Sequence, residues 1–251
     1  MKFGALRGPD GSFGGVDTRP AAMRNFLLYS LQRLGVDHID IYRPARLDPE
    51  VPIEDTVGAI AEMVEAGFVR HIGLSEIGAQ TLRRAAAVAP ISDLQIEYSL
   101  ISREIEREIL PAAKELGVGI TAYGVLSRGL LSDTMRTKQG FAPDDFRAHS
   151  PRFQGENLTT NLRLVEALAV IAERHGVNVA QLAIAWAAGR GGDIVPLIGT
   201  RRESRWQEAV AALDIRLSET DVAEIEAATP AGAVAGTRYP AAQMAILDSE
   251  R

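Results

Sequence analysis

Short, continuous apolar runs alternate with longer amphipathic stretches through most of the chain. The short runs are too brief and too uniformly apolar for half-exposed helices. They predict strands buried on both faces, as in a parallel sheet. The predicted strands are Ile39–Tyr42, His71–Ser75, Asp93–Ile96, Val118–Tyr123 and Ile194–Ile198.

The stretches between these runs have the apolar spacing and the terminal residues of helices. Pro20 stands at the first helical position of one stretch, with Asp17 and Thr18 as N-cap candidates and Gly35 as its stop signal. Residues 218–221 form a variant of the capping box, with Asp in place of Glu or Gln. The predicted helices span residues 19–34, 54–66, 79–89, 104–116, 161–175, 179–189, 203–213 and 218–228.

The strand–helix order repeats without a break in composition, so we expect a single domain over residues 1–251. Alternating βα units imply a parallel sheet, either open or closed into a barrel, and the pattern alone does not choose between them. Residues 1–18 are Gly-rich and predicted to be irregular. Residues 127–160 form a long polar excursion that is either functional or disordered. Residues 229–251 are predicted to form an ordered wrap or a mobile arm.

Composition excludes several classes of function. A net charge of −6 argues against a nucleic-acid-binding surface, which usually carries a basic stripe. The absence of cysteine excludes disulfides and thiolate metal sites, and we predict no metal site. No apolar run approaches the ~20 residues of a membrane span, and the N-terminal residues lack the apolar core of a signal peptide. We therefore expect a cytoplasmic protein with a small-molecule partner and no nucleic-acid or membrane partner.

Four motifs, in order and at the spacing of barrel strands, resemble the second half of an aldo-keto reductase. They are VRHIGLSE from Val69, DLQIEYSL from Asp93, GITAYGVLSRGLL from Gly119 and IVPLIGTRRESRWQEA from Ile194. The resemblance implies a TIM (β/α)₈ barrel and an NADP(H)-dependent oxidoreductase that reduces aldehydes and ketones to alcohols by hydride transfer. Compared with the family, roughly the first two βα units have no counterpart, so we expect a barrel that lacks them.

The resemblance also implies cofactor contacts at the ends of strands. Ser75 and Gln95 match residues that hold the nicotinamide carboxamide, and Tyr123 matches an aromatic ring that lies against the nicotinamide. Glu76 stands where the family usually has Asn, and a carboxylate can accept a hydrogen bond from the carboxamide but cannot donate one. The alternatives are that Ser75 caps a helix and that Tyr123 is a core aromatic residue.

Two loops are implied as phosphate sites. Gly124–Gly129 matches the loop beneath the pyrophosphate, with the Ser127 hydroxyl, Arg128 and backbone N–H groups as donors; the alternative for Arg128 is a solvated charge. The second loop precedes a helix whose N terminus suits the adenosine 2′-phosphate, which favours NADP over NAD. Arg202 is expected to point to solvent. The implied contacts of the two loops are Gly124, Leu126, Ser127, Arg128, Gly129, Gly199, Thr200, Arg201, Arg205 and Glu208.

Lys2 matches the catalytic lysine of the family, in the motif Lys2–Phe3–Gly4. In the family this lysine pairs with an aspartate and lowers the pKa of a tyrosine that donates the proton. Neither the aspartate nor the tyrosine has a counterpart here, and Ala45 stands where the family commonly has histidine. Arg43 and Arg46 are candidates to polarise the carbonyl instead, and the alternative is that they are lid or surface residues.

Two functions are open from the sequence. One is an NADP-dependent reductase whose remaining part lies elsewhere; the other is a catalytically inactive NADP-binding remnant or regulatory relative. Without a proton donor, which is typically worth about 10²–10⁴-fold in rate, these residues alone are expected to reduce carbonyls poorly. A homo-oligomer formed through exposed strand edges is also possible.

Overall fold

The structure is a computed structural model, and it describes residues 1–138 and 140–250. Gln139, in the predicted polar excursion, and Arg251, at the end of the predicted tail, lie outside the described residues. No helix in the described part of the chain is both long enough and apolar enough to cross a membrane.

The chain divides into two compact units, while the prediction of one domain over residues 1–251 stays a prediction. Unit 1 consists of Met1–Ile96, Glu106–Ile120 and the residues from Ala245 onwards. Unit 2 consists of Glu97–Ile105 and Thr121–Met244.

Unit 1 is built on parallel strands that alternate with helices along the chain. Strand β1 pairs with β4, β4 with β5, and β5 with β6, all in parallel. The prediction of parallel βα units is therefore confirmed in this unit. Its elements are β1 (Lys2–Phe3), β2 (Ala5–Arg7), β3 (Phe13–Val16), α1 (Pro20–Leu34), β4 (Ile39–Pro44), α2 (Ile53–Glu65), β5 (Val69–Ser75), α3 (Ala79–Ala86), β6 (Ile91–Glu97) and α4 (Ile109–Glu115). The last residue of β6, Glu97, belongs to unit 2.

The first residues of unit 1 are more regular than predicted, because β2 and β3 form an antiparallel hairpin. The N-cap of α1 is Arg19, without a side-chain cap, so the prediction of Asp17 or Thr18 was wrong. The Asp17 carboxylate instead accepts a hydrogen bond from the backbone N–H of Arg19, the residue before the first helical residue Pro20. It also binds the Arg19 guanidinium. Pro20 begins the helix and Gly35 ends it at φ 66°, as predicted.

Unit 2 contains the end of one strand, a second short strand and most of the later helices. The backbone N–H of Leu197 donates to the carbonyl of Ala122 at 2.8 Å, which continues the strand contact beyond Pro196. The capping box predicted at residues 218–221 is present. The elements are β7 (Gly119–Tyr123, from Thr121), α5 (Asp133–Arg136), α6 (Gly155–Arg174), α7 (Val179–Ala188), β8 (Ile194–Pro196), α8 (Glu203–Ala211), α9 (Glu219–Ala228) and α10 (Ala241–Met244).

The predicted excursion at 127–160 is largely structured in its described part. Short helical turns occupy much of it, and α6 begins at Gly155 rather than near residue 161. The Asn161 amide explains the order, because it donates to the carbonyls of Arg152 and Ala235 and accepts from the N–H of Ala235. The Asn161 side chain thus connects both the excursion and the tail to α6. The described tail residues of unit 2 form an ordered wrap.

A row of residues crosses the sheet of unit 1. Lys2 is the register partner of Arg43, and Gly73 is the register partner of Asp93. The Arg43 guanidinium reaches across Gly73 to Asp93, with Nε 2.5 Å from Oδ1 and Nη2 2.8 Å from Oδ2. A Cβ atom on Gly73 would lie 2.5 Å from Asp93 Oδ1 and 2.7 Å from Arg43 Cγ. Glycine is required here because the ion pair occupies the place of a side chain.

Gly73→Ala should therefore lower the free energy of unfolding by about 1–3 kcal/mol, the usual cost of overpacking. Gly58→Ala is the matched control, because Gly58 lies within α2 and its Cβ would meet open space. That change should instead stabilise the chain by roughly 0.5–1 kcal/mol. Urea unfolding measures both, and similar effects of the two substitutions would contradict the steric argument.

Candidate active site

Two buried polar side chains stand side by side near the carboxyl ends of β5 and β6. Ser75 and Gln95 are register partners, 0% and 7% exposed. Within the described residues, Ser75 Oγ and Gln95 Oε1 have no hydrogen-bond partner. A buried polar atom left unpaired costs about 1–3 kcal/mol. Both atoms can accept from an amide NH₂, so the pair fits a carboxamide ligand.

The interpretation of Ser75 as a helix cap was wrong. Helix α3 begins after Gly78, which has no side-chain cap. The Gly78 N–H donates instead to Asp248 Oδ2 at 2.8 Å, and Ser249 Oγ donates to Glu76 Oε2 at 2.8 Å. The residues after Ala245 therefore fasten the turn that follows Ser75. Glu76 is fully buried at φ 56°, a conformation that costs a non-glycine residue of order 1–3 kcal/mol.

Lys2 reaches solvent from β1, but its surroundings disfavour its charged form. Desolvation by the surrounding protein, followed by the charges of Arg46 and Arg43, lowers the pKa of the Lys2 ammonium. The carboxylates of Glu76 and Asp93 oppose this shift. A lysine whose pKa is lowered by cations and burial is typical of a functional site rather than of a solvated surface.

The two candidate arginines of unit 1 differ in their contacts. Arg43 is neither a lid nor a surface residue, because its side chain is 11% exposed and bound to Asp93. Arg46 is half-buried, and its Nη1 donates to the carbonyl of Ala45 at 2.7 Å. A guanidinium has five N–H donors, so Arg46 retains donors for another acceptor.

Unit 2 contains a cavity of about 1350 Å³. Drug-sized ligands usually occupy about 300–1,000 Å³, so this cavity has room for an extended ligand. Two segments supply most of its predicted contacts, the loop after β7 and the segment that leads from β8 into α8. The predicted residues that line it are Tyr123, Gly124, Leu126, Arg128, Gly129, Gly199, Thr200, Arg201, Arg205 and Glu208.

Ser127 does not line this cavity. Its hydroxyl is fully buried and has no partner among the described residues. The N–H of Ser127 donates to the Gly124 carbonyl and that of Gly129 to the Leu126 carbonyl. These two N–H groups are therefore occupied within the turn and are not the free phosphate donors that were predicted, whereas the Ser127 hydroxyl as a phosphate donor stays a prediction. The cause is the tight turn at 127–129, in which all three residues have positive φ and the Ser127 side chain points inward.

Arg128 is held between aromatic rings rather than in solvent. Its guanidinium carbon lies 4.5 Å from the ring centre of Tyr239 and 5.4 Å from that of Phe146. Its Nη2 lies 3.3 Å from Glu97 Oε2, and the side chain is 19% exposed. The interpretation of Arg128 as a solvated charge was wrong. Its Nη1 is buried without a partner among the described residues, and therefore could donate to an anion in the cavity.

A fully buried carboxylate, which the sequence analysis missed, gathers three arginines in unit 2. Glu97 lies 3.3 Å from Arg128, 3.6 Å from Arg152 and 3.4 Å from Arg238, and Ser102 Oγ donates to it at 3.1 Å. Of these three arginines, Arg128 also lines the cavity and brings its positive charge to the cavity wall. The signal was a carboxylate between the apolar residue Ile96 and the aromatic residue Tyr98 in the DLQIEYSL run. Its partners were not predictable from the sequence, since the farthest is 141 residues away.

Tyr123 is fixed at its hydroxyl by the tail of unit 2. Tyr239 Oη lies 3.0 Å from Tyr123 Oη, and Arg238 Nη1 lies 3.4 Å from the same atom. Tyr123 is half-buried and lines the cavity, so its interpretation as a core aromatic was wrong. Sequence analysis also missed Tyr239, which carries no motif and joins the site only because the tail folds back.

The segment before α8 carries the predicted 2′-phosphate residues. Thr200 and Arg201 are exposed, and Thr200 Oγ1 accepts from the N–H of Arg202. Arg202 is exposed as predicted, but it also lines the cavity. Arg205 Nη1 donates to Glu208 Oε2 at 2.6 Å, so these two side chains partly neutralise each other. Arg201 and Arg202 are both exposed, both line the cavity and neither has an ion pair among the described residues, so Arg201, the predicted contact, is open to a ligand.

Comparison with known proteins gives consistent matches. The profile of the Aldo/keto reductase family matches residues 5–230. A probable aldo-keto reductase 1 of Glycine max is 43% identical over 240 residues, 95% of this chain and 68% of the relative. An NADP(+) aldo-keto reductase of Schizosaccharomyces pombe, yakc, is 41% identical over 242 residues, 95% of this chain and 71% of the relative.

Solved structures agree with the sequence matches. The glycerol dehydrogenase AKR11B4 from Gluconobacter oxydans has a TM-score of 0.83 at 28% identity, over 91% of this chain and 72% of that one. The thermostable aldo-keto reductase Tm1743, in complex with the inhibitor epalrestat, has a TM-score of 0.68 at 27% identity. That match covers 84% of this chain and 67% of the other.

Glu97→Gln should lower the free energy of unfolding by about 3–5 kcal/mol, because it leaves buried guanidiniums without their counter-charge. Glu224→Gln is the matched control in the same unit, since it breaks the exposed pair of Glu224 with Arg174. The control should cost no more than about 1 kcal/mol. Denaturant unfolding compares the two, and equal losses would show that the Glu97 cluster contributes no more than a surface ion pair.

Proposed function

The chain belongs to the aldo/keto reductase family, and on that premise we propose that it reduces aldehydes or ketones to alcohols by hydride transfer from NADPH. Its oxidoreductase class and its α/β fold of the TIM-barrel type follow from the family. NADP(H) as cofactor agrees with the name of the yeast relative. The observation that carries the proposal is the buried pair of unpaired oxygen atoms on Ser75 and Gln95.

Ser75 and Gln95 would hold the nicotinamide end of the cofactor. Their two oxygens lack donors, and the carboxamide NH₂ provides two. Unit 2 by itself has a cavity in which Arg128 and Arg201 as cations and Tyr123 as an aromatic surface would suit a phosphate-bearing nucleotide. Thr200, Arg205 and Glu208 would line the adenosine end, while Gly124, Leu126, Gly129 and Gly199 provide backbone surface.

The cofactor, when bound, supplies the hydride. The chain must then stabilise the negative charge that develops on the carbonyl oxygen. Lys2 is the proposed catalytic residue, whose ammonium would supply the proton that completes the alcohol. Arg46 can donate a hydrogen bond to the same oxygen because its donors are only partly used among the described residues. The tyrosines of unit 1 lie elsewhere. Tyr29 is exposed on α1, and Tyr42 is buried with its hydroxyl on the Met23 carbonyl, where burial raises its pKa.

Ser75→Ala should raise the KM for NADPH without lowering stability. The hydroxyl has no partner among the described residues, so its removal leaves nothing unpaired in the unliganded chain. NADPH oxidation with an aromatic aldehyde measures turnover, and urea unfolding measures stability. Ser30→Ala, which removes a hydroxyl from α1, is the control and should change neither. The absence of NADPH-dependent turnover in the parent protein would contradict the proposed function.

Arg201→Ala should weaken NADPH binding about tenfold, equivalent to ~1.4 kcal/mol, and leave NADH binding unchanged. The reason is the loss of a charge-assisted hydrogen bond to the 2′-phosphate, which NADH lacks. Fluorescence titration with both cofactors measures the difference. Arg163→Ala, at an exposed position of α6, controls for the loss of one positive charge. If the parent binds both cofactors equally, the role of Arg201 is wrong.

A further inference from the structure

Arg43 and Asp93 form a buried ion pair that has no role in the function proposed above. The side chains are 11% and 9% exposed and make two parallel hydrogen bonds. Such a pair is weak grounds for stability, because desolvation of both charges offsets much of their attraction. Its position in the sheet therefore calls for an explanation other than stability.

We propose that Arg43 and Asp93 are a positioning pair, in which Asp93 fixes the Arg43 guanidinium so that the positive charge of the pair is held nearer to Lys2 than the negative charge, in one register row of the sheet. This inference rests on the proposed function only in that Lys2 is the proposed catalytic residue. Neither Arg43 nor Asp93 is assigned a contact with cofactor or substrate.

The register of the strands carries the argument. Lys2 on β1 is directly opposite Arg43 on β4, and opposite residues of neighbouring strands project to the same face. Asp93 is on β6, beyond β5, so Arg43 stands between Lys2 and Asp93 in the row. The charge of the pair that lies nearer to Lys2 is therefore the positive charge of Arg43, so the negative charge of Asp93 does not cancel it at Lys2.

Gly73 makes this arrangement possible. The Arg43 side chain passes over β5 at the one place where β5 has no side chain in the row. A guanidinium bound at both Nε and Nη2 has a fixed orientation, unlike a single-point contact. Asp93 therefore determines the position of the Arg43 charge, and Gly73 leaves the space through which the Arg43 side chain reaches Asp93.

The charges that face Lys2 come from several strands and their ends. They are the positive Met1 α-ammonium, Arg43 and Arg46 and the negative Glu76 and Asp93. Desolvation and then the charges of Arg46 and Arg43 lower the pKa of Lys2, while the two carboxylates raise it. The net effect lowers the pKa of Lys2, so Lys2 loses its proton at lower pH than a lysine in water does.

Two substitutions test this inference because they break the same ion pair and remove opposite charges. Arg43→Gln should raise the pKa of Lys2, since a nearby positive charge is lost. Asp93→Asn should lower it, since Arg43 then acts without its counter-charge. A purely structural contact predicts shifts of the same sign or none, because both variants loosen the same contact.

The sequence makes the measurement simple. The chain has three lysines, Lys2, Lys114 and Lys138. Reductive methylation with ¹³C-formaldehyde labels their amines and the N terminus, and NMR follows each titration. Lys2→Arg identifies the Lys2 resonance, and the other two lysines serve as internal references. Glu62→Gln, which breaks an exposed pair with Arg24, is the control and should leave the Lys2 titration unchanged.

The double variant Arg43→Gln/Asp93→Asn covers the case in which one single variant fails to fold. It leaves no unpaired buried charge, and it should raise the pKa of Lys2 by less than Arg43→Gln alone. The pH profile of kcat for aldehyde reduction should move in the same direction as the Lys2 titration, with the KM for NADPH little changed.

Shifts of opposite sign in the two single variants, or the intermediate upward shift in the double variant, support the positioning pair. Shifts of the same sign, no shift, or an unchanged titration in the double variant overturn it. The titration needs neither cofactor nor substrate. A parent protein without reductase activity would therefore contradict the proposed function and leave this result intact.

Discussion

The buried carboxylate of Glu97 is the interaction on which unit 2 depends. Three arginines converge on it, from the turn after β7, from the segment before α6 and from the tail. A fully buried charge is tolerated only when it is paired and hydrogen-bonded, so the carboxylate requires these segments to come together. The same contacts help to set one wall of the cavity, because Arg128 both binds Glu97 and lines the cavity.

Unit 1 also contains a buried carboxylate, but the contact of that carboxylate with arginine has a different geometry. There the buried carboxylate of Asp93 accepts two hydrogen bonds from Arg43, and the space for that contact exists because Gly73 has no side chain. Parallel pairing then brings Lys2 to the same row, and Ser75 and Gln95 to the ends of the same strands. Sheet register, rather than any loop, therefore gathers the chemical groups of this unit.

Both units keep unfavourable features where a ligand is expected. Ser75 Oγ, Gln95 Oε1 and Arg128 Nη1 are buried without partners among the described residues. Glu76 and Arg128 have positive φ, which is costly for residues with a side chain. These features lower the stability of the unliganded chain, and a bound cofactor that pairs with the buried atoms would recover part of it.

The sequence by itself determined the parallel strands, most of the helices and the family, because apolar periodicity and short motifs are local properties. It also located the two segments that supply most of the cavity lining, one after β7 and one after β8, because both follow strands directly. Only the tertiary structure decided which side chains are buried: the Ser127 hydroxyl is turned inward, and Arg43 is bound to Asp93 rather than exposed. Only the tertiary structure brought Glu97 together with Arg152 and Arg238, and Tyr123 with Tyr239. The physical reason is that charge pairing and burial depend on contacts between residues far apart in the chain, about which local periodicity carries no information.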